Sequence, residues 1–404
     1  MEIRPILSTL RRHKLTASLL TLQVALTCAI VCNTVFVTAL RMERMNLPSG
    51  LAENELVMID STDLASAANS LVRHQEDLAA LRDIPGVKSA AAVDALPFNG
   101  NDWSNGIQTK PNEPPHLSAS AFNGTSGELE TLGLHLIAGR GFLPDEYISE
   151  DSAHGYTGID HVSATIVTRS LAKQLFPGES AIGKTIYVGA GPTTIVGIVD
   201  YLLRPSLNQP DSVERSMLFP MLPDSSEVTY VLRTTPQDRE RVLKTASDVL
   251  KKLDANRVLQ NARTFTQLRN YYFQRDRTMI GLLLASMLGL LFVTALGITG
   301  LANFWVQQRH RSIGIRRAVG ATRNDILRYF QTENFLIVMF GVVLGVVLAV
   351  LLNLLLMQHY ELPRLPLYYL ALGAVALWVL GQLAVLAPAL RAAAVPPVEA
   401  TRSV

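Results

Sequence analysis

Residues Gln307–Glu333 read QQRHRSIGIRRAVGATRNDILRYFQTE, an arginine-rich stretch set between two long apolar runs that carry no charge. The stretch is basic, hinged at a glycine and too short to be a domain. Such a connector can be gripped by another protein on the cytoplasmic side of a membrane, and alone it can catalyse nothing. Its punctuation is that of two helices and a turn. Gly320 is placed to end a helix in the left-handed conformation. Thr322-Arg-Asn-Asp325 has the spacing of a capping box, with Asp in the third position after the cap. The preceding run therefore reads as continuing inward, turning at Val319–Ala321, and restarting as a helix that enters the next run. A short helix and turn between two rigid rods is a natural handle for a motor.

The flanking runs are Thr278–Gln308 and Asn334–Gln358, and two more, Leu15–Leu40 and Leu365–Leu390, likewise lack Asp, Glu, Lys and Arg. Each exceeds the roughly 20 residues needed to cross a hydrocarbon core of about 30 Å, so all four read as transmembrane helices. The whole chain fits that class, with 49% hydrophobic and only 17% charged residues among 404. Arg11, Arg12 and Lys14 before the first run would suit a signal peptide. The apolar stretch is about twice the usual 7–15 residue signal core, so a retained anchor is expected.

Orientation follows from where arginine and lysine fall. Arg4, Arg11, Arg12 and Lys14 precede the first span against Glu2 alone. Between the second and third spans lie Arg309, Arg311, Arg316, Arg317, Arg323 and Arg328 against Asp325 and Glu333, whereas the turn before the fourth span has only His359, Glu361 and Arg364. Both termini and the basic connector are assigned to the cytoplasm, and the long segment from Arg41 to Arg277 to the outside, in a bacterium the periplasm. The expected fold class is a membrane protein of four transmembrane α-helices with a large α+β extracytoplasmic domain between helices 1 and 2. Its expected parts are a cytoplasmic interfacial helix 1–14, spans 15–40, 278–308, 334–358 and 365–390, the outside domain 41–277, a coupling segment 309–333 and a cytoplasmic tail 391–404. In the first of these, Ile3, Ile6, Leu7 and Leu10 share a face, and Pro5 suits a first helical turn.

The outside segment alternates strand-like and helix-like stretches. Strands are expected at Glu55–Ile59, Val87–Val93, Leu117–Phe122, Ala164–Val167 and Val228–Arg233, with a hairpin over Thr185–Val199. Helices are expected at Leu64–Arg82, Glu128–Leu134, Ser170–Phe176 and Arg239–Leu253; the last places Val242, Ala246, Val249, Leu250 and Leu253 on one side. This reads as two subdomains with a loop-rich middle at Asn99–Pro115 and Tyr147–His161. Phe265–Arg277 is expected to be helical straight into the second span.

The chemistry-bearing motifs are few. Gly178-Glu-Ser-Ala-Ile-Gly183-Lys184-Thr185 matches the phosphate-cradling pattern G-x-x-x-x-G-K-[ST], and Ile195–Asp200 resembles the strand that ends in a magnesium-binding Asp. The mechanism needs a strand before the loop and a helix after it. Here a helix precedes it, and the alternating, glycine-broken TIYVGAGP follows, on the side of the membrane without ATP. The two glycines read as turns. The outside histidines His74, His116, His135, His154 and His161 have no metal-ligand spacing, and Trp103 beside Asp102 and Asn105 reads as a loop aromatic. No catalytic, cofactor or metal site is therefore expected. Nor is nucleic acid, since topology already accounts for the basic connector. The spans carry only neutral polar groups such as Gln23, Asn33, Asn303, Asn353 and Gln382, whereas ion-driven carriers keep ionisable groups at mid-membrane. Cys28 and Cys32, one turn apart in the first span, read as small packing residues. Gly341 and Gly345 form a small-xxx-small pair suited to close helix packing.

Arg311–Leu327 (RSIGIRRAVGATRNDIL) closely resembles the coupling segment of FtsX/MacB-type ABC transporter permeases. The outside domain adds family-like phrases: IPGVKSAAAVDALP at Ile84–Pro97, TLGLHLIAGRGF at Thr131–Phe142 and LAKQLFPGESAIGKTIYVG at Leu171–Gly189, the last absorbing the phosphate-loop match. APALRAAAVPPVEA at Ala387–Ala400 matches the family's ending. The resemblance spans nearly the whole chain. It departs in Ser312, where the family usually has an acid, in the first span, which lacks the family's glycine-rich pattern, and in the missing ATPase domain that MacB carries fused. The resemblance implies a stand-alone permease subunit of the bacterial inner membrane, with no enzymatic activity of its own. It would work as a dimer with a second copy or a paralogue. It would recruit a separate cytoplasmic ABC ATPase through Ser312, Ile313, Gly314, Ile315, Arg316, Arg317, Ala318, Val319, Gly320, Ala321 and Thr322. A periplasmic adaptor and an outer-membrane channel are the further partners implied for export; Arg316 and Arg317 have lipid phosphates as the competing contact. A lipoprotein-releasing permease and an FtsX-like regulator of a cell-wall hydrolase share the topology and are the alternatives.

Overall fold

The computed structural model describes residues 14–63, 70–111, 113–149, 161–189, 191–209, 212–360 and 363–394. The chain divides into two compact units, one formed by Leu47–Gln274 and the other by what precedes and follows it. The interfacial helix expected before Lys14 and the tail beyond Ala394 lie outside the described residues, as do His154 and residues 64–69.

Helix α1 (Lys14–Met45) comes first among the described residues. The unit Leu47–Gln274 then lays down two sheets. The first uses β1 (Leu56–Thr62), β2 (Ser89–Val93), β12 (Glu227–Arg233) and β13 (Val258–Thr264) in the order β13-β1-β12-β2, all antiparallel. Helices α2 (Ser70–Arg82) and α5 (Arg239–Leu253) cover it, and Val57, Ile59, Tyr230 and Leu232 of the sheet meet Leu78, Leu81, Val242 and Leu250 of the helices. Val57 and Ile59 lie on one face of their strand, as Tyr230 and Leu232 do on theirs, and the continuous apolar run Leu56–Ile59 is buried on both faces.

The second sheet takes β3 (Ser104–Gln108), β4 (Leu117–Asn123), β5 (Leu136–Gly139), β7 (Ala164–Thr168), β8 (Thr185–Val188), β9 (Gly191–Val199) and β10 (Ser216–Phe219). It closes on itself, because β9 pairs with β7 along one edge and with β8 along the other (Thr185↔Thr194 to Val188↔Gly191). Ile107, Ala121, Val167, Ile186, Ile195 and Phe219 fill the interior, and α4 (Arg169–Leu175) covers it through Leu171 and Leu175. A short helix α3 (Glu128–Leu132) and a two-stranded pair, β6 (Ile148–Ser149) with β11 (Met221–Leu222), also belong to the unit. The stretch expected as loop at Asn99–Pro115 holds β3. Its sequence SNGIQ has one apolar residue, and its pairing with β4 and β8 makes the strand.

Helix α6 (Phe265–Tyr272) ends at Phe273, and α7 (Gln274–Gln308) begins immediately after, so Phe265–Arg277 is two helices and not the one expected. After α7 come α8 (His310–Ala318), α9 (Arg323–Tyr360) and α10 (Leu367–Ala394). Helices α1, α7, α9 and α10 are each long and apolar enough to cross a membrane. Close approach of α9 to α1 depends on glycine: a Cβ at Gly341 would stand 2.7 Å from the Val24 Cβ, and one at Gly345 would collide with Cys28. Cys32 likewise fills the space left by Gly373 of α10, which is why both thiols are buried. Neutral polar groups tie the helices together. Thr27 and Thr294 hydroxyls are 2.8 Å apart, Asn33 Nδ2 donates to Ala349 O at 3.1 Å, and Asn334 Nδ2 donates to Gly381 O at 2.8 Å.

Candidate functional site: a rigid hairpin between two spans

Helix α7 stops at Gln308, and Arg309 turns the chain into α8. The far end of α8 is a Schellman closure. Gly320 has φ +108°, its N–H donates to Arg317 O at 3.2 Å, and the Ala321 N–H donates to Arg316 O at 3.0 Å. Nothing lies within 4 Å of where a Gly320 Cβ would be, so glycine is needed for the backbone and not for space. Helix α9 starts one residue later with a reciprocal cap. Asp325 N–H donates to Thr322 Oγ1 at 3.2 Å, and Thr322 N–H donates to Asp325 Oδ2 at 3.0 Å. The Thr322 hydroxyl, followed by its backbone amide, holds the Asp325 carboxyl below the usual carboxylate range.

The hairpin is anchored underneath. Ile313 is buried with Ile326, Phe330 and the small residues Ala389, Ala392 and Ala393 at the end of α10. Across its base Arg309 makes a two-pronged ion pair with Glu333, at 2.8 and 3.1 Å, and the Glu333 side chain is only 1% exposed. Arg309 also lies 5.7 Å from the Trp305 ring centre, and Arg316 5.0 Å from that of Tyr329.

The residues singled out from sequence therefore separate into two groups. Ile313 and Gly314 are buried and Arg317 and Ala321 half-buried, so they shape the hairpin. Ser312, Ile315, Arg316, Ala318, Val319, Gly320 and Thr322 are exposed and form its outer surface. At its tip Val319 is 85% exposed, and Ile315 is 49% exposed. Sequence reasoning missed Glu333 as a partner of Arg309 and the alanine floor of α10. A signal existed for the first: an acid at the mouth of an uncharged run must find a cation.

The phosphate-loop match is a turn. Gly178 (φ +80°) and Gly183 (φ +78°) bend the chain between α4 and β8, no helix follows, and Lys184 pairs with Glu179 and lies 4.5 Å from the Phe176 ring centre. Two buried polar clusters remain in the unit Leu47–Gln274. Arg257 bridges Asp63 (3.2 Å) and Asp77 (2.7 Å), and the Tyr230 hydroxyl donates to Asp77 at 2.5 Å; all four side chains are buried. Burial first, then Asp77, pushes the Tyr230 hydroxyl up, and burial pushes the nearby His74 down. This cluster joins α2 to the first sheet. Glu128, opening α3, is 3% exposed, and burial, with Asp94 second, pushes it up to about 8. Trp103 is half-exposed beside β3, its carbonyl accepting from Ala121 N–H. Among the described residues no group of three or more His, Cys, Asp or Glu converges as a metal site.

Residues 18–252 match the MacB-like periplasmic core domain, and residues 284–397 match the FtsX-like permease C-terminal region. The chain belongs to the MacB-like, FtsX-type ABC transporter permeases. The permease is similar to the macrolide export ATP-binding/permease protein MacB of Bartonella henselae, 31% identical over 225 residues, 52% of this chain and 31% of that protein. The MacB of Pasteurella multocida is 26% identical over 287 residues, 67% of this chain and 39% of that protein. Against these MacB relatives the permease spans about a third of their length. The uncharacterized ABC transporter permease YknZ of Bacillus subtilis is 22% identical over 359 residues, 85% of this chain and 83% of that protein. The four apolar helices and this family membership make it a multi-pass membrane protein, with a MacB-like core domain between its first helix and the rest.

Proposed function

We propose that the permease carries ATP-driven movement from a cytoplasmic ABC ATPase to its periplasmic domain and so drives export across the bacterial inner membrane. The supporting observation is the build of the α8 hairpin. Val319 and Ile315 stand exposed at the tip of a turn whose backbone is closed at both ends and whose base is held by the ion pair of Arg309 with the buried Glu333. A free loop would absorb a push, whereas this rod delivers it. The surface from Ser312 to Thr322 is the docking site, with Val319 and Ile315 as apolar anchors and Arg311 and Arg316 offering charge to an acidic rim. Coupling requires the ATPase to bind this tip differently in its open and closed states. No chemistry is asked of the chain, and ATP is hydrolysed in the ATPase. Two copies, or one copy and a paralogue, would act together, with a periplasmic adaptor and an outer-membrane channel continuing the route. The hairpin would face the cytoplasm and the core domain the periplasm. Cysteines placed at Ala318 and at exposed Lys252, with Cys28 and Cys32 buried, test this in intact cells using a membrane-impermeant thiol reagent. Labelling is expected at Lys252→Cys only; labelling at Ala318→Cys alone would refute the orientation.

A further inference from the structure

The unit Leu47–Gln274 holds its first and last segments together at one place. Arg269 on α6 donates from Nη2 to Leu47 O at 2.7 Å and pairs through Nη1 with Glu53 Oε1 at 2.5 Å. Its guanidinium lies 5.1 Å from the Phe98 ring centre. Among the described residues Phe98 is the one non-glycine with positive φ, at 70°. An aromatic side chain in that backbone region is strained and persists only where its surroundings over-determine it. They do so here. The Phe98 ring is buried among those of Phe265, Tyr272 and Phe273, at 5.9, 5.5 and 5.3 Å, and its N–H donates to Pro205 O at 3.1 Å. The same loop is tied to α6 by Leu207 N–H donating to the Tyr272 hydroxyl at 2.9 Å.

Leu47 follows α1 by two residues, and Phe273 precedes α7 by one. The chain enters and leaves the unit at these two points. An apolar patch would suffice to hold them together. A cation bridging both ends and resting on a strained ring is directional, and close-packed rings pass displacement on with little give. We infer that Arg269, with Glu53 and Phe98, is the joint through which movement of the spans reaches the periplasmic domain. Arg269 is thus a positioning residue for the transport step, an assignment that rests on the coupling function proposed above.

The test uses the full chain in nanodiscs with the ATPase that co-purifies with it, followed by hydrogen exchange with and without ATP and vanadate. In the wild type the nucleotide is expected to change exchange both in the α8 hairpin and at residues 47–55 and 96–107. Arg269→Ala is expected to abolish the outer change while the hairpin change persists and ATP hydrolysis stays within about twofold. Arg269→Lys, which keeps the charge opposite Glu53, is expected to restore part of it. Glu53→Gln, a same-size change, carries the test if Arg269→Ala does not fold. A joint of purely structural importance would speed outer exchange equally with and without nucleotide and leave the nucleotide-dependent difference intact. That result overturns the joint and leaves the coupling function standing, whereas a wild type whose hairpin responds while the outer unit does not removes both. A wild type that responds nowhere removes the coupling function and the joint with it.

Discussion

Val319→Ser tests the docking tip with the least collateral damage. Val319 is 85% exposed, and its N–H helps close α8 through a bond to Ile315 O at 3.1 Å that the substitution leaves untouched. Fully burying a valine side chain stabilises by about 1.5–3 kcal/mol. Scaled to the fraction still exposed, docking that buries Val319 gains roughly 1.3–2.5 kcal/mol from it. At about 1.4 kcal/mol per decade, Val319→Ser should weaken ATPase binding roughly 10- to 70-fold. An exposed surface change leaves the fold within about 0.5 kcal/mol. The measurement is the affinity of the purified ATPase for nanodisc-held permease, paired with thermal unfolding of the permease alone. Affinity within about twofold of wild type, with the fold unchanged, would show that the tip does not enter a pocket. Ile313→Ala is the contrasting control: Ile313 is 5% exposed, so its truncation should cost about 2–5 kcal/mol of stability before any binding is considered.

Gly320→Ala should destabilise the hairpin by about 1–2 kcal/mol through its φ of +108° alone, since no atom lies within 4 Å of the new methyl; faster amide exchange at Gly320 and Ala321 reads this out, and unchanged exchange would contradict the Schellman closure. Acidic or bulky residues at Gly320 therefore confound the turn with docking, which makes Val319 the cleaner probe. Glu333→Ala leaves Arg309 without its buried partner and should cost about 3–5 kcal/mol, seen as a lowered unfolding midpoint; a midpoint equal to wild type would mean that Arg309 reaches water. For Glu128, the folded carboxyl titrates at about 8, whereas the unfolded one titrates in the ordinary range near 4.5. The folded state thus holds a proton that the unfolded chain releases, and stability falls as pH rises from about 4.5 to about 8. Glu128→Gln should remove that slope, matching wild type near pH 4.5 and exceeding it near pH 8 in denaturant titrations, and parallel curves would refute the buried acid.

The helical spans and the hairpin were legible because their signals are local. Four uncharged runs, a glycine and a Thr-x-x-Asp cap specify helix, stop and restart from neighbouring residues alone. The same holds for strands whose residues alternate, such as β12. Strand β3 was not legible, because a polar SNGIQ becomes a strand only by pairing with β4 and β8. The break at Phe273 was missed for a similar reason, since the ring leaves the helical run to join Phe98, far away in sequence.

Composition and charge asymmetry by themselves determined a four-pass architecture with one large insertion, and local motifs determined the shape of the connector between the second and third spans. Only the tertiary structure decided which connector residues face outward and which are anchored, that Glu333 holds Arg309, and that Arg269 clasps the two ends of the core domain. Those facts depend on partners 24 and 222 residues apart. A hydrophobic pattern says which face of a helix is buried, but the identity of the charge across from it is set by packing.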